Sequence, residues 1–125
     1  MVHILVADDS KDVAELMSEM LGREGHTVEL AYDGQQVIDR IKGGEVFDII
    51  VTDLLMPGVD GVGVLRFLQD QGNATPVLVL SGGGLTVNAE NALKVVKNMA
   101  DDVLAKPVKY EELLQKIDAL VKSRT

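Results

Sequence analysis

The sequence has 125 residues, no cysteine and a formal net charge of −8. Its length suits one domain, which we predict over residues 1–125, and the lack of cysteine excludes a disulfide framework or a Cys-ligated metal site. The acidic balance argues against direct nucleic-acid binding, since a binder must neutralise phosphates with Lys and Arg. No apolar run reaches the roughly 18 residues that a membrane span needs. We therefore expect a cytoplasmic protein with no direct nucleic-acid partner and no membrane partner.

Short apolar runs recur along the chain, and each of them predicts a β-strand. Three are nearly continuous Ile, Leu and Val, which is typical of parallel strands buried on both faces. The second run alternates and contains Thr27 and Glu29, so we predict that it is an edge strand. The five runs are residues 4–7, 27–31, 47–51, 77–80 and 103–105.

Amphipathic stretches separate these runs, and their apolar spacing predicts helices. Ser10 or Asp9 can cap the first helix, and Gly22 and Gly25 end it. The second helix starts at Asp33 and ends at Gly43-Gly44. The predicted apolar faces are Val13, Leu16, Met17, Met20 and Leu21 in the first helix; Val64, Leu65 and Leu68 in the third; Ala89, Ala92, Leu93, Val96 and Met99 in the fourth; and Tyr110, Leu113, Leu114, Ile117, Leu120 and Val121 in the fifth. Five alternating pairs predict an α/β doubly wound sheet with right-handed crossovers, for which two strand orders remain open.

Polar residues collect at the carboxyl ends of the predicted strands, where open α/β sheets bind ligands. Asp8-Asp9 follow the first strand, Thr52-Asp53 the third, Ser81 the fourth and Lys106-Pro107 the fifth. Elsewhere the central strands are almost purely apolar, so packing does not explain these side chains. We expect them to form one site.

Three crowded carboxylates need compensation, because each close pair repels by roughly 4 kcal/mol at an effective dielectric near 20. An oxygen-only site with open positions suits Mg²⁺, which keeps waters and bridges to phosphate oxygens. Lys106 supplies a second positive charge and Ser81 a hydroxyl donor. Such a site can hold a phosphoryl group on one carboxylate, since phosphoryl transfer needs mainly positioning and charge stabilisation.

The residues at these strand ends resemble the receiver-domain signature of two-component response regulators, in the same order and over the whole chain. The resemblance implies a flavodoxin-like (βα)5 fold with a five-stranded parallel sheet in the order 2-1-3-4-5. The matching motifs are Asp8-Asp9, Asp53-Leu54-Leu55-Met56-Pro57-Gly58, Asp60-Gly61, Ser81-Gly82 and Lys106-Pro107.

The resemblance also implies residue roles. Asp53 would accept the phosphoryl group, Ser81 would close on it, and Lys106, joined to Pro107 by a cis peptide, would pair with it. Asp9 would bind Mg²⁺ directly and Asp8 partly through water. The implied metal ligands are Asp8, Asp9, Asp53 and the carbonyl of Leu55.

The implied function is a signalling switch with limited self-phosphotransfer and autodephosphorylation. The donor would be the phosphohistidine of a sensor histidine kinase or a phosphotransfer protein. An output partner would read the fourth helix, fifth strand and fifth helix. Receiver domains commonly carry Tyr or Phe three residues before the lysine, where this chain has Val103. Signalling through the loop 82–84 and the fourth helix is therefore a hypothesis.

Three other functions fit parts of the pattern. A phosphorylation-independent docking module of the same fold would explain the lack of the aromatic residue. A Mg²⁺-dependent phosphohydrolase would usually have a second acid two residues after its nucleophile, where Leu55 stands. A flavin-binding flavodoxin would need a Ser/Thr-rich phosphate loop in place of Asp8-Asp9-Ser10-Lys11.

Overall fold

The computed structural model describes residues 2–82 and 87–123, in which five strands alternate with five helices. The strands are β1 (His3–Ala7), β2 (Thr27–Ala31), β3 (Ile49–Asp53), β4 (Val77–Ser81) and β5 (Asp102–Ala105). The helices are α1 (Lys11–Arg23), α2 (Gly34–Lys42), α3 (Gly61–Asp70), α4 (Val87–Met99) and α5 (Tyr110–Lys122).

The sheet is parallel and has the order β2-β1-β3-β4-β5, which confirms the predicted topology and the edge position of β2. Strand β3 lies at the centre and pairs with both β1 and β4. Its register places Thr52 beside Ala7 and Asp53 beside Leu80. The ends of β1 and β3 are therefore neighbours, and this is where the predicted acidic residues follow.

Two apolar layers cover the sheet, one on each face. Alternate residues of β1 show the division, since Ile4 and Val6 contact one layer while Leu5 contacts the other. Helices α1 and α5 cover the first face, and α2, α3 and α4 cover the second. The buried helical residues are Met17, Leu21, Leu113 and Ile117 in the first layer, and Val37, Val64, Leu65, Leu68 and Val96 in the second.

Short polar side chains begin three of the helices at this edge of the sheet. Ser10 accepts the backbone N–H of Val13, Asp33 that of Gln36, and Asp60 that of Gly63. Each bond satisfies a backbone donor that the first turn of a helix leaves unpaired. The expected start of the second helix after Asp33 is confirmed, as is its end at Gly43.

The structure corrects three local predictions. The buried face of α1 is Ala14, Met17 and Leu21, whereas Val13 and Leu16 are 39% and 57% exposed. Gly22 lies inside α1 rather than after it. The third strand begins at Ile49 instead of residue 47, because the segment before it bonds across to β1, where the Asp48 carboxylate accepts the backbone N–H of His3.

Some predictions concern residues outside the described part of the chain. The side chain of Ala89 and the residues Gly83 and Gly84 belong to this group. None of the helices in the two described ranges has the length and apolar character of a membrane span.

Candidate functional site

Three carboxylates converge at the carboxyl ends of β1 and β3. Asp8 and Asp53 are buried and Asp9 is exposed, and each offers an oxygen within 4.8 Å of the others. The pairing of β1 with β3 causes this convergence, because Asp8 directly follows β1 and Asp53 is the last residue of β3. The predicted grouping of the three acids at one rim is thus present in the structure.

Lys106 lies against two of these acids from the end of β5. Its Nζ atom is 3.0 Å from Oδ1 of Asp53 and 3.6 Å from Oδ2 of Asp8. A backbone hydrogen bond from the Lys106 N–H to the carbonyl of Ser81 holds the lysine there. The Lys106-Pro107 bond is cis, as expected. One ammonium group therefore forms ion pairs with two buried carboxylates.

The Asp8 carboxylate is only partly satisfied. Oδ1 accepts the backbone N–H of Ser10 at 2.9 Å, whereas Oδ2 is buried without a hydrogen-bond partner. A buried charged oxygen in this state is costly unless a cation joins it. The Lys106 ammonium group is 3.6 Å from this oxygen, beyond hydrogen-bond distance. Together with the nearby oxygens of Asp9 and Asp53, the Asp8 oxygen fits a hard divalent cation with oxygen ligands.

Burial and the positive charge of Lys106 shift the pKa of Asp53 in opposite directions. Burial raises the pKa of its carboxyl group above the ordinary value, the hydrogen bond and charge of Lys106 oppose that rise, and the Asp8 charge adds to it. The backbone N–H of Leu54 also donates to Oδ1. The site thus holds a carboxylate that would gain from further positive charge, which a metal ion can provide.

Burial and the ion pair between the two side chains shift the pKa of Lys106 in the directions opposite to those for Asp53. Burial alone would lower the pKa of its ammonium group, but the hydrogen bond from Lys106 to Asp53 and the charges of Asp53 and Asp8 raise the pKa above its ordinary value. Lys106 therefore stays protonated at neutral pH and is available to meet an anionic group at the rim.

Ser81 and Leu55 lie beside the cluster on adjoining segments. Ser81 ends β4 and pairs with Ala105, and its hydroxyl lies 3.5 Å from the Gly82 carbonyl, at the limit of a hydrogen bond. The described structure therefore places Ser81 at the rim without a short contact to the acids. Leu55 follows Asp53 by two residues, and its side chain is 49% exposed.

Backbone hydrogen bonds hold the loop between β3 and α3 at several points, and the sequence did not predict them. The Leu54 N–H donates to the Leu80 carbonyl at 3.0 Å, and the Gly61 N–H donates to the Leu54 carbonyl at 2.8 Å. The Gly34 N–H of α2 donates to the Val59 carbonyl at 2.9 Å. The sequence analysis did not single out Gly34, because a contact between the start of a helix and a distant loop leaves no local pattern in the sequence.

Comparison with known proteins places these features in a family. The family model described as the response regulator receiver domain matches residues 4–118. A similar curated protein is the transcriptional regulatory protein TcrA of Mycobacterium tuberculosis, 36% identical over 95% of this chain and 46% of its own length. The response regulator MprA of Mycolicibacterium vanbaalenii is 37% identical over 99% of this chain and 52% of its own.

Solved structures agree with this assignment. The Francisella response regulator 1452 receiver domain superposes with a TM-score of 0.87 at 33% identity, covering 100% of both chains. A response regulator receiver domain protein from Clostridium thermocellum has a TM-score of 0.86 at 25% identity, over 99% of this chain and 97% of its own. The family match and the solved structures identify a receiver domain, which is a signalling module with a flavodoxin-like fold.

The chain belongs to the response regulator receiver domain family of two-component systems. It spans about half the length of the curated relatives it matches.

Proposed function

We propose that the chain is a phosphorylation-dependent switch in which Asp53 receives a phosphoryl group from a phosphohistidine donor. One observation carries the proposal: the Lys106 ammonium group lies 3.0 Å from Asp53 Oδ1 and 3.6 Å from Asp8 Oδ2, which is buried without a hydrogen-bond partner. Packing offers no reason to bury this charge. A phosphoryl acceptor offers one, because the lysine and a bound cation can neutralise the group once it is attached.

The transfer itself needs no further reagent. An oxygen of Asp53 forms a bond to phosphorus while the P–N bond of the donor breaks, and the electron pair of that bond returns to the imidazole nitrogen. Lys106 meets the negative charge of the transferred group, and the Leu54 N–H holds the carboxylate in position. Ser81, at the end of β4, donates its hydroxyl to the attached group.

Mg²⁺ fits the oxygen ligands of the site. Asp8, Asp9 and Asp53 would hold it together with the carbonyl of Leu55, and when bound it supplies positive charge to the phosphoryl oxygens. The unsatisfied Oδ2 of Asp8 supports a cation here. The alternative aspartyl phosphohydrolase gains no support, since the exposed Leu55 side chain offers no second acid.

Incubation with acetyl phosphate and Mg²⁺, followed by intact-mass measurement, tests the proposal. We expect one phosphoryl adduct that hydrolyses over time on the parent, and none on Asp53→Asn. Asp102→Asn is the matched control, because this aspartate also pairs with a lysine but lies outside the rim, and it should be labelled like the parent. An equal mass spectrum for parent and Asp53→Asn contradicts the proposal.

Exposed apolar side chains next to the rim suit docking of a phosphodonor protein. Val13 and Leu16 lie in α1, which begins directly after the acid pair, and Leu55 follows Asp53. Their exposure leaves apolar surface for a partner beside the acceptor. We assign the kinase or phosphotransfer protein to this side, and an output partner to α4, β5 and α5.

Leu16→Asp tests the docking assignment. We expect slower transfer from a phosphohistidine protein but unchanged labelling by acetyl phosphate, because only the protein donor needs the apolar surface. Val46→Asp is the matched control: Val46 is 80% exposed in the loop before β3, at the opposite end of that strand from Asp53. Slowing of both donors by Leu16→Asp contradicts the assignment.

The phosphorylation-independent docking module remains a second candidate, because Val103 stands where the family commonly has an aromatic residue. Val103 is half-buried and packs against the apolar layer of α2, α3 and α4. Equal binding of an output partner by phosphorylated parent and Asp53→Asn would favour this candidate.

A further inference from the structure

We infer that Gly34 and Val59 form a clamp that positions the β3–α3 loop, and through it the metal site at the rim. The inference deepens the proposed function and rests on it, because the loop carries the Leu55 carbonyl that we assign to Mg²⁺. Neither residue belongs to the receiver signature identified in the sequence. Both would act as positioning residues without touching the ion.

The clamp joins the start of α2 to the loop. The Gly34 N–H is one of the helix donors that have no partner within the helix, and the Val59 carbonyl accepts it at 2.9 Å. The two segments touch so closely that a Cβ atom on Gly34 would overlap the Val59 carbonyl oxygen and lie 2.7 Å from Val59 Cγ1. The contact therefore requires glycine for space and not for backbone conformation.

A second glycine, Gly63, leaves space for the Val59 side chain. A Cβ atom on Gly63, in the first turn of α3, would lie 2.7 Å from Val59 Cγ1 but 3.8 Å from Val59 Cβ. Val59, which is partly buried, thus contacts the first turns of two helices. Its side chain also packs against the apolar layer of α2, α3 and α4.

The loop has few other places to adjust. Leu54 is fixed by the bonds described above, and Met56 is buried in the core. Leu55 lies between them with an exposed side chain, so packing of its own side chain does not determine where its carbonyl points. The direct anchors of Leu55 are Leu54 and Met56, and Met56 is joined through Pro57 and Gly58 to Val59, the loop residue that another helix holds. A displaced Val59 should therefore move the Leu55 carbonyl.

Mg²⁺ titration by calorimetry tests the clamp, with each variant's unfolding measured separately without metal. Gly34→Ala should weaken Mg²⁺ binding by roughly tenfold or more, the size of effect common for groups that orient metal ligands. Gly22→Ala is the matched control, because a Cβ there meets nothing within 4 Å. It should bind Mg²⁺ like the parent.

A rescue experiment covers the case in which Gly34→Ala does not fold. Gly63→Ala should also weaken Mg²⁺ binding, and Gly63→Ala with Val59→Ala should restore it, since the only close contact is with Val59 Cγ1. Parent-like affinity in both Gly34→Ala and Gly63→Ala overturns the clamp but leaves the proposed function standing. A parent that binds no Mg²⁺ overturns the proposed metal site itself.

Discussion

Two Asp–Lys pairs of nearly equal length behave differently in this molecule. Asp53 and Lys106 are 3.0 Å apart at the rim, and Asp102 and Lys116 are 2.8 Å apart between β5 and α5. Burial raises the pKa of Asp53 despite its lysine, whereas the hydrogen bond to Lys116 lowers the pKa of Asp102. The distance between the charged atoms therefore does not by itself decide whether the pKa of the aspartate is raised or lowered.

Burial and a neighbouring acid explain the difference. The Asp53 side chain is 12% exposed and shares its lysine with Asp8, while the Asp102 side chain is 35% exposed and its pair lies near solvent. A screened pair needs little stabilisation and provides little. The rim instead retains a charge that its surroundings disfavour, and such a perturbed group is typical of a functional site.

The largest expected effect is stabilisation of the folded protein by Mg²⁺, which would bind at the rim pair and not at the Asp102–Lys116 pair. A ligand present at one hundred times its dissociation constant stabilises the folded state by about 2.7 kcal/mol. We expect a gain of that order for the parent and for Lys116→Met, and little gain for Asp8→Asn, which loses a metal-facing charge. Thermal unfolding with and without Mg²⁺ measures it. A full gain in Asp8→Asn contradicts the assigned ligand set.

Removal of Lys106 should have the next largest effect. Lys106→Met leaves Asp8 and Asp53 facing each other without their cation, so we expect a loss of about 1–2 kcal/mol, reduced from the cost of breaking a fully buried pair because Lys106 is 31% exposed. The loss should shrink as the pH falls and the acids become protonated. Urea unfolding at several pH values measures it. Lys116→Met is the control and should change stability much less.

Removal of the aspartates should have smaller effects of opposite sign. Asp53→Asn should stabilise the metal-free protein at pH 7 by about 1 kcal/mol, the size common for stabilising substitutions, because burial disfavours the Asp53 charge. Asp102→Asn should destabilise it slightly. Urea unfolding of both variants without metal makes the comparison, and destabilisation by Asp53→Asn contradicts our account of the rim.

The pH dependence of the two aspartates should also differ. Because the folded pKa of Asp53 lies above its unfolded value, Asp53 makes the protein less stable as the pH rises through that folded pKa. The folded pKa of Asp102 lies below its unfolded value, so the stability from Asp102 is present above the unfolded pKa and lost as the pH falls through the folded pKa. Each asparagine variant should remove its own part of the profile, and unchanged profiles would contradict both signs.

The sequence predicted the layered architecture well, because buried parallel strands leave continuous apolar runs and capped helices leave spaced polar residues. Asp8, Asp9, Asp53 and Lys106 were likewise predictable, since polar residues at the ends of apolar strands have no packing role. The strand order came from family resemblance rather than from the pattern of apolar residues. The structure then brought these four side chains together.

Contacts between distant segments were not predictable in the same way. Helical spacing placed Val13 and Leu16 on the apolar face of α1, but only the position of the sheet decides which part of a broad face is covered. The hydrogen bond between Gly34 and Val59 joins the first residue of α2 to the β3–α3 loop, and no local pattern in the sequence indicates it. Such contacts depend on tertiary packing.

The central place of β3 has a mechanical consequence. All five of its residues are buried and both of its edges are hydrogen-bonded, so the strand that ends in Asp53 is braced on every side. A close-packed strand deforms little when its neighbours move. Structural changes at its end would then be taken up by less buried neighbours such as Ser81 and Lys106, while the proposed acceptor Asp53 would keep its position.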